Sequence, residues 1–569
     1  MLFLRSRVVN FNRIRPLNDR HLAILLFGAV FLLFLAGCRI SPTITLGVPT
    51  NLPASETAVQ PIVEEKTKLP TDAILTITPV RPEAITPLMP SGQVTNLPVS
   101  DTPGPSLTST SESPVEIPPT APPTINPTFN ATATSPVQTS TPRPFNEIPA
   151  PIMGIETHSM RPFVLTDFAN AAIKWTRRNG FLWSDVEPFE GQRNWGAAAS
   201  LEQDLANASK QGINTILIVR STPPWAQKVY GHSCGPIRQD KFLAFASFMK
   251  DLVARYSVLP YNVKYWEIGN EPDVDPSLVA ADSLFGCWGD QNDPYYGGGY
   301  YAQMLKAVYP AIKAADPQAR VLMGGLLMFC DPTHPPQGND CKTGLFFKGI
   351  LASGGADYFD IVSFHGYPQY FSSWLTAENS GPWKPRGGFV LGKISYLRET
   401  MNEYGVDKPI YLTEGSLTCS ETNTKFCNPA GEKFFNDQAN YTVMLFVRNW
   451  AAGIDATLWY EFEGPGWRYS SMLDGSQKPK PDYNAFIFML KELKGAKYRR
   501  EIIDYENVQI YEFSLPEKRV WVLWPKDIDP HVVIPPTDTL QVYDIFGNVV
   551  TPVNGAIPLT NPIYFELNP

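Results

Sequence analysis

The chain has 569 residues, 43% of them apolar and 12% aromatic, with a formal net charge of −8. That length allows two or three domains, and the apolar share suits a large core. The acidic balance argues against nucleic acid or an anionic polymer as a partner. The 55 prolines are concentrated early in the chain. The stretch up to about residue 147 does not have the composition of a folded domain, which leaves roughly 420 residues for the globular part.

At the N-terminus, Arg5, Arg7, Arg13, Arg15 and Arg20 precede an apolar run of 15 residues, 22–36. The run is short for a membrane-spanning helix and fits the hydrophobic region of an export signal. It ends in Leu35-Ala36-Gly37-Cys38, which resembles the lipobox of bacterial lipoproteins. That resemblance implies a signal peptide over 1–38, lipidation of Cys38, and attachment to the cell surface through an N-terminal lipid anchor. An uncleaved anchor with an incidental cysteine is the alternative; in both cases the remainder is extracytoplasmic.

Residues 39–149 are rich in Pro, Thr and Ser, as in 120–128 and 135–144. Such segments bury too little apolar surface to offset chain entropy. A disordered, extended spacer is expected, whether or not its length serves a mechanical purpose.

The six further cysteines are an even number in an exported chain, which points to disulfides. Short spacings make Cys330–Cys341 and Cys419–Cys427 natural loop-closing pairs and leave Cys234–Cys287, although six cysteines permit fifteen connectivities. Metal binding competes with this reading, but there is no Cys-x-x-Cys spacing and no clustered His. No metal and no cofactor is expected.

From residue 152, apolar β-branched runs alternate with helical stretches such as 241–255, 300–315 and 392–404, the pattern of repeated βα units. The expected strands are 152–157, 173–177, 215–220, 263–269, 320–326, 360–365, 409–413 and 456–460. Eight such units predict a (β/α)8 TIM barrel over 150–497. A doubly wound sheet is the alternative, and no glycine-rich phosphate turn follows any strand.

In a barrel the chemistry lies at the C-terminal strand ends. Those ends carry Glu156 and His158, Arg177, Trp225, Asn270 and Glu271, His365 and Tyr367, Glu414, and Trp459 with Glu461. Two carboxyl groups flanking a scissile bond are what glycoside hydrolysis requires, and Glu271 and Glu414 end the fourth and seventh strands.

The segment Trp266-Glu267-Ile268-Gly269-Asn270-Glu271-Pro272 resembles the fourth-strand motif of clan A glycoside hydrolases, and Tyr411-Leu412-Thr413-Glu414-Gly415 resembles their seventh-strand motif. The likeness covers roughly residues 152–495 and is nearer to family 39 than to typical family 5 members. It implies a retaining double displacement on a β-linked oligo- or polysaccharide, with Glu271 as acid/base and Glu414 as nucleophile. Glu271 must then hold a proton to donate, and Glu414 must stay ionised.

The resemblance also implies that Asn270 meets the sugar 2-hydroxyl and that Arg177 keeps the nucleophile ionised. A surface Arg177, or its exchange with Arg178 through a one-residue slip, is the other reading. His365 or Tyr367 would hydrogen-bond the nucleophile, with a packed core His as the alternative. Trp459 would floor the substrate site, against plain core packing.

His158 and Trp225 are candidate sugar contacts. Trp183, Trp288, Trp374, Trp383 and Trp467 share with Trp225 the loops that follow strands and could line a groove or fill loop cores. Glu267, by strand alternation, should face inward and be ion-paired; Glu187 reads as loop architecture.

After residue 495 the pattern is β only, with expected strands 508–513, 519–524, 540–545 and 563–566 and a turn at Phe546-Gly547-Asn548. A small C-terminal β-sandwich over 498–569, buttressing the barrel or binding sugar itself, is expected. The chain is expected to act as a monomer. A non-catalytic surface carbohydrate-binding lipoprotein is the rival function, and it predicts loss of one carboxylate. A metal-dependent barrel hydrolase would need more ligands than six His allow.

Overall fold

The computed structural model describes residues 147–420 and 422–569. The expected signal segment, Cys38 and the spacer up to residue 146 lie outside the described residues.

Eight parallel strands form the barrel: β1 (Ile152–Thr157), β2 (Trp175–Leu182), β3 (Asn214–Arg220), β4 (Tyr265–Ile268), β5 (Arg320–Met323), β6 (Val362–Gly366), β7 (Ile410–Gly415) and β8 (Ala456–Trp459). Their order is β5-β4-β3-β2-β1-β8-β7-β6. Parallel bridges Leu322↔Ile361 and Leu326↔Phe364 bring β5 and β6 together and close the ring. Each strand is followed by a helix: α1 (Pro162–Asn170), α2 (Ala199–Lys210), α3 (Phe242–Tyr256), α4 (Gly298–Ala315), α5 (Phe346–Ala352), α6 (Phe389–Glu403), α7 (Glu432–Ala451) and α8 (Pro481–Glu492). In α3, for example, Phe245, Met249, Leu252 and Tyr256 recur at helical spacing and are buried, giving one apolar stripe to set against the strands.

Strand alternation divides the interior into two layers. Ile216, Leu322, Ile361, Tyr411, Ala456 and Leu458 form a small apolar cluster of their own. It fills the barrel between the strands, as a packed core does. The neighbouring positions Leu217, Trp266, Val321, Leu412 and Trp459 belong to the large cluster shared with the surrounding helices. Two residues further along the inward faces, the apolar filling gives way to Glu156, Arg177, Glu267, Ser363 and Thr413, all fully buried.

The C-terminal strands are β9 (Lys497–Ile502), β10 (Val508–Ser514), β11 (Arg519–Pro525), β12 (His531–Val533), β13 (Thr539–Asp544), β14 (Ile557–Leu559) and β15 (Ile563–Leu567). One antiparallel sheet runs β9-β10-β11-β15-β13, and β12 pairs β14 in a second, giving the expected sandwich with β9, β12 and β14 added. Ile148–Pro149, assigned by composition to the spacer, pairs antiparallel with β9 and is the edge of the larger sheet. The sandwich packs on the barrel helices through Trp450 against Phe513 at 4.7 Å and Phe488 against Tyr564 at 5.3 Å.

Three disulfides join Cys234 to Cys287, Cys330 to Cys341 and Cys419 to Cys427, the pairs that spacing favoured. All lie in segments that follow strands β3, β4, β5 and β7, on the mouth side of the barrel. No described helix is long and apolar enough to cross a membrane.

Candidate active site

The mouth is organised around one buried cation. Arg177, inward-facing on β2, donates from Nε to Glu267 at 2.6 Å, from Nη1 to Glu156 at 2.6 Å and also to Glu414, and from Nη2 to Asn270 Oδ1 at 2.8 Å. Burial opposes its charge, but Glu267 and Glu414 above all restore it, so Arg177 stays cationic. Its neighbour Arg178 points the other way, to Asp204 at 2.6 Å.

Glu414 reaches this cation because β7 carries an irregularity. The pairing of β6 with β7 steps from Phe364↔Leu412 to His365↔Glu414, which skips Thr413. An extra residue in one strand re-aims the side chains that follow. Thr413 therefore bonds Glu267 at 3.2 Å while Glu414, next along, also faces the interior.

On its other side Glu414 accepts from the Tyr367 hydroxyl, and His365 Nδ1 lies 3.4 Å from its Oε2. Burial alone would raise the proton affinity of Glu414; His365, Arg177 and the Tyr367 hydrogen bond outweigh it and hold the carboxyl below its ordinary value. Tyr367 is itself buried beside that carboxylate, which keeps its hydroxyl protonated and donating.

Glu271 sits just beyond β4 with a positive φ of 47°, a conformation that non-glycine residues rarely adopt and that clusters at functional sites. Its N–H donates to the Gly325 carbonyl at 3.0 Å. Its Oε1 lies 2.9 Å from His365 Nδ1. His365 thus stands between the two carboxylates. Burial lowers its proton affinity, but Glu414 and the hydrogen bond to Glu271 raise it by more.

One ligand atom each from Glu271, His365 and Glu414 lie within 4.8 Å of one another. Such a trio could hold a cation, but the hydrogen bonds of His365 already account for the arrangement. The ring also needs a glycine behind it, because a Cβ on Gly325 would lie 2.0 Å from His365 Nε2.

Sequence reasoning left Glu156 unclaimed, yet it is fully buried against Arg177. Burial raises its proton affinity to about 8, Arg177 partly offsetting and Glu414 adding to the shift. Glu267 is buried, as strand alternation predicted, and also accepts from Ser363 Oγ at 2.9 Å. Glu187 takes bonds from Trp183 Nε1 at 2.9 Å and Gly191 N at 2.8 Å, and so ties a loop.

Trp459 does not floor the site. It is fully buried among the helices, its indole N–H donating to the Ser470 carbonyl at 2.8 Å. Parity explains the correction: Ala456 and Leu458 face the barrel interior, so Thr457 and Trp459 face outward and Tyr460 is the next inward position. The Tyr460 ring lies 5.6 Å from that of Tyr367, edge-on. The Trp467 ring, 47% exposed, lies 5.5 Å from that of Tyr367, also edge-on.

Trp183, Trp288, Trp374 and Trp383 are buried in loop cores, and Trp183 and Trp288 line a small cavity that also includes Asn270. Trp225 is partly buried, edge-on to Trp183 at 5.2 Å, with its N–H on the Glu187 carbonyl at 3.0 Å. His158 is at the rim and pairs with Glu461, whose hydrogen bond raises the imidazole to about 9. The His158 and Ser159 N–H groups donate to Glu463 at 3.0 and 2.9 Å.

No protein-family model matches the chain, and no curated protein matches its sequence. Solved structures do match. A family 39 glycoside hydrolase from Bacteroides cellulosilyticus is 19% identical, covering 74% of this chain and 81% of its own, with a TM-score of 0.55. A conserved exported protein from Bacteroides fragilis is 13% identical over 74% of this chain and 98% of its own, TM-score 0.51. A family 86 glycoside hydrolase in complex with neoagarooctaose is 12% identical over 73% and 74%, TM-score 0.51. At these identities the likeness is one of fold, the eight-stranded parallel barrel with surrounding helices.

Proposed function

We propose that the chain is a retaining glycoside hydrolase acting on a β-linked oligo- or polysaccharide, with Glu414 as nucleophile and Glu271 as acid/base. The observation that carries this reading is the closeness of the two carboxyl groups, with oxygens within 4.8 Å of each other. Retaining enzymes hold the pair about 5–5.5 Å apart, whereas inverting enzymes leave about 6.5–9.5 Å for a water.

The surroundings of the two groups support the division of roles. Glu414 is kept ionised by Arg177, His365 and Tyr367, as attack on an anomeric carbon requires. Arg177 occupies the Asn270 amide oxygen, which leaves the amide NH2 as the end to donate to a sugar hydroxyl. Tyr460, Trp467, Trp225 and His158 are the rim groups assigned to further sugar contacts. In the first step Glu271 protonates the departing oxygen while Glu414 forms the glycosyl ester; in the second Glu271 takes a proton from water, which displaces Glu414.

The test uses aryl β-glycosides and azide. Glu414→Ala should lose more than about 10³-fold in kcat and, with azide, yield a glycosyl azide of inverted anomeric configuration. Glu271→Ala should lose about 10²–10⁴-fold and yield the azide of retained configuration. Full activity in Glu414→Ala sinks the assignment, and exchanged stereochemistry reverses the roles.

We further propose a lipoprotein signal over 1–38, a spacer from 39 to about 146, a catalytic barrel over 150–496 and a sandwich over 497–569 whose edge is completed by Ile148–Pro149, in a monomer anchored to the cell surface through Cys38. The basic run, the apolar run and the small residues before Cys38 support this.

A further inference from the structure

Lys393, in the first half of α6, is buried under the mouth. Its ammonium reaches no solvent and makes two hydrogen bonds, to the Leu327 carbonyl at 2.7 Å and the His365 carbonyl at 2.8 Å. Leu327 is held from its other side as well. Its N–H and that of Met328 donate to the buried carboxylate of Asp273, at 2.9 and 2.7 Å, two residues beyond Glu271. Between these, Leu326 N–H bonds the Ser363 carbonyl at 3.0 Å and His365 N–H bonds the Leu326 carbonyl at 2.9 Å. The loop after β5 is therefore stitched to the Glu271 segment on one side and to β6 on the other. Lys393 closes the stitch.

Resting on the reading of Glu271 as acid/base, we propose that Lys393 is a positioning residue: by gripping the carbonyls of Leu327 and His365 together it fixes His365 against the Glu271 carboxyl. The groups whose charges face it are Asp273, Glu271 and Glu378, and the Phe389 ring lies 4.6 Å away. Burial lowers its proton affinity to about 7, with the three carboxylates opposing that shift. Protonated or neutral, the amine has at least two N–H groups for its two carbonyls, so the grip persists across neutral pH.

Lys393→Met keeps the stem and removes the donors. The expected signature is graded by leaving group, because only poor leaving groups need protonation by Glu271. On aryl glycosides running from dinitrophenyl to phenyl, kcat/KM for the poorest leaving group should fall at least about tenfold more than for the best. An equal loss across the series, with the wild-type leaving-group dependence intact, overturns the proposal. If Lys393→Met fails to fold by circular dichroism, Asp273→Asn weakens the other half of the stitch and should steepen the same dependence; an unchanged slope there overturns it equally. Inactivity of the wild type on every glycoside would refute the hydrolase reading itself and the inference with it.

Discussion

Around Arg177 one positive charge meets three carboxylates, and the excess is resolved by burial. Glu267 has two hydroxyl donors besides the guanidinium, and Glu414 has Tyr367 and His365. Glu156 has Arg177 alone, and its Oε1 has no hydrogen-bond partner among the described residues. It is therefore the member that keeps its proton, up to about pH 8. Because its folded-state affinity lies above the ordinary 4.5, the folded protein binds that proton more tightly than the unfolded chain. Stability then falls as pH rises from 4.5 towards 8. Glu156→Gln, a neutral near-isostere, should stay within about threefold of wild-type kcat/KM near pH 6. Its thermal midpoint should exceed that of the wild type by a margin that widens as pH rises towards 8. A margin that stays flat or narrows with pH would show that Glu156 is ionised in the folded state.

At the scale of strands and loops, most of the site was legible because strand alternation is rigid. Glu267 follows from its four-residue distance to Glu271, whereas Arg177 rather than Arg178 came from the resemblance, and the inward parity of β2 in the fold agrees with it. The same parity, applied to Ala456 and Leu458, identifies Tyr460 and dismisses Trp459; the resemblance to a strand-eight Trp overrode it.

Two features were not legible. The step in β7 that turns both Thr413 and Glu414 inward depends on pairing with β6, which no local pattern encodes. The expected second strand ended at residue 177; in the fold Arg177 is met by Glu267 and Glu414 and Arg178 by Asp204, and β2 runs on to Leu182.

Gly325 belongs to this scale too, since its missing side chain is the space His365 occupies. Gly325→Ala should push the imidazole out of line and lower kcat by about 10²-fold with little change in secondary structure by circular dichroism. Wild-type kcat in that variant would show that His365 can move without consequence.

At the scale of the whole molecule, the sandwich keeps an apolar core of its own, and its other face joins the barrel: Phe513, Val520, Val522, Trp524 and Tyr564 belong to the same buried cluster as the barrel helices. The disulfide Cys234–Cys287 joins the segments after β3 and β4, next to Asn270 and Glu271, where loop order matters most. The proposed anchor is tested at the same scale. Expressed with its N-terminus in a bacterial host, the Cys38→Ser variant should lose incorporation of labelled fatty acid and shift from the membrane fraction to the soluble one. Unchanged labelling would place the lipid elsewhere.

Ile148–Pro149 lies immediately ahead of β1, at the end of the barrel away from the mouth, and is laced into the edge of the sandwich. A tug from that side would load the hydrogen bonds between this edge and β9, together with the bond from the Trp450 indole to the Ile148 carbonyl. The strand ends that carry Glu271 and Glu414 lie at the opposite end of the barrel from this edge and would stay slack.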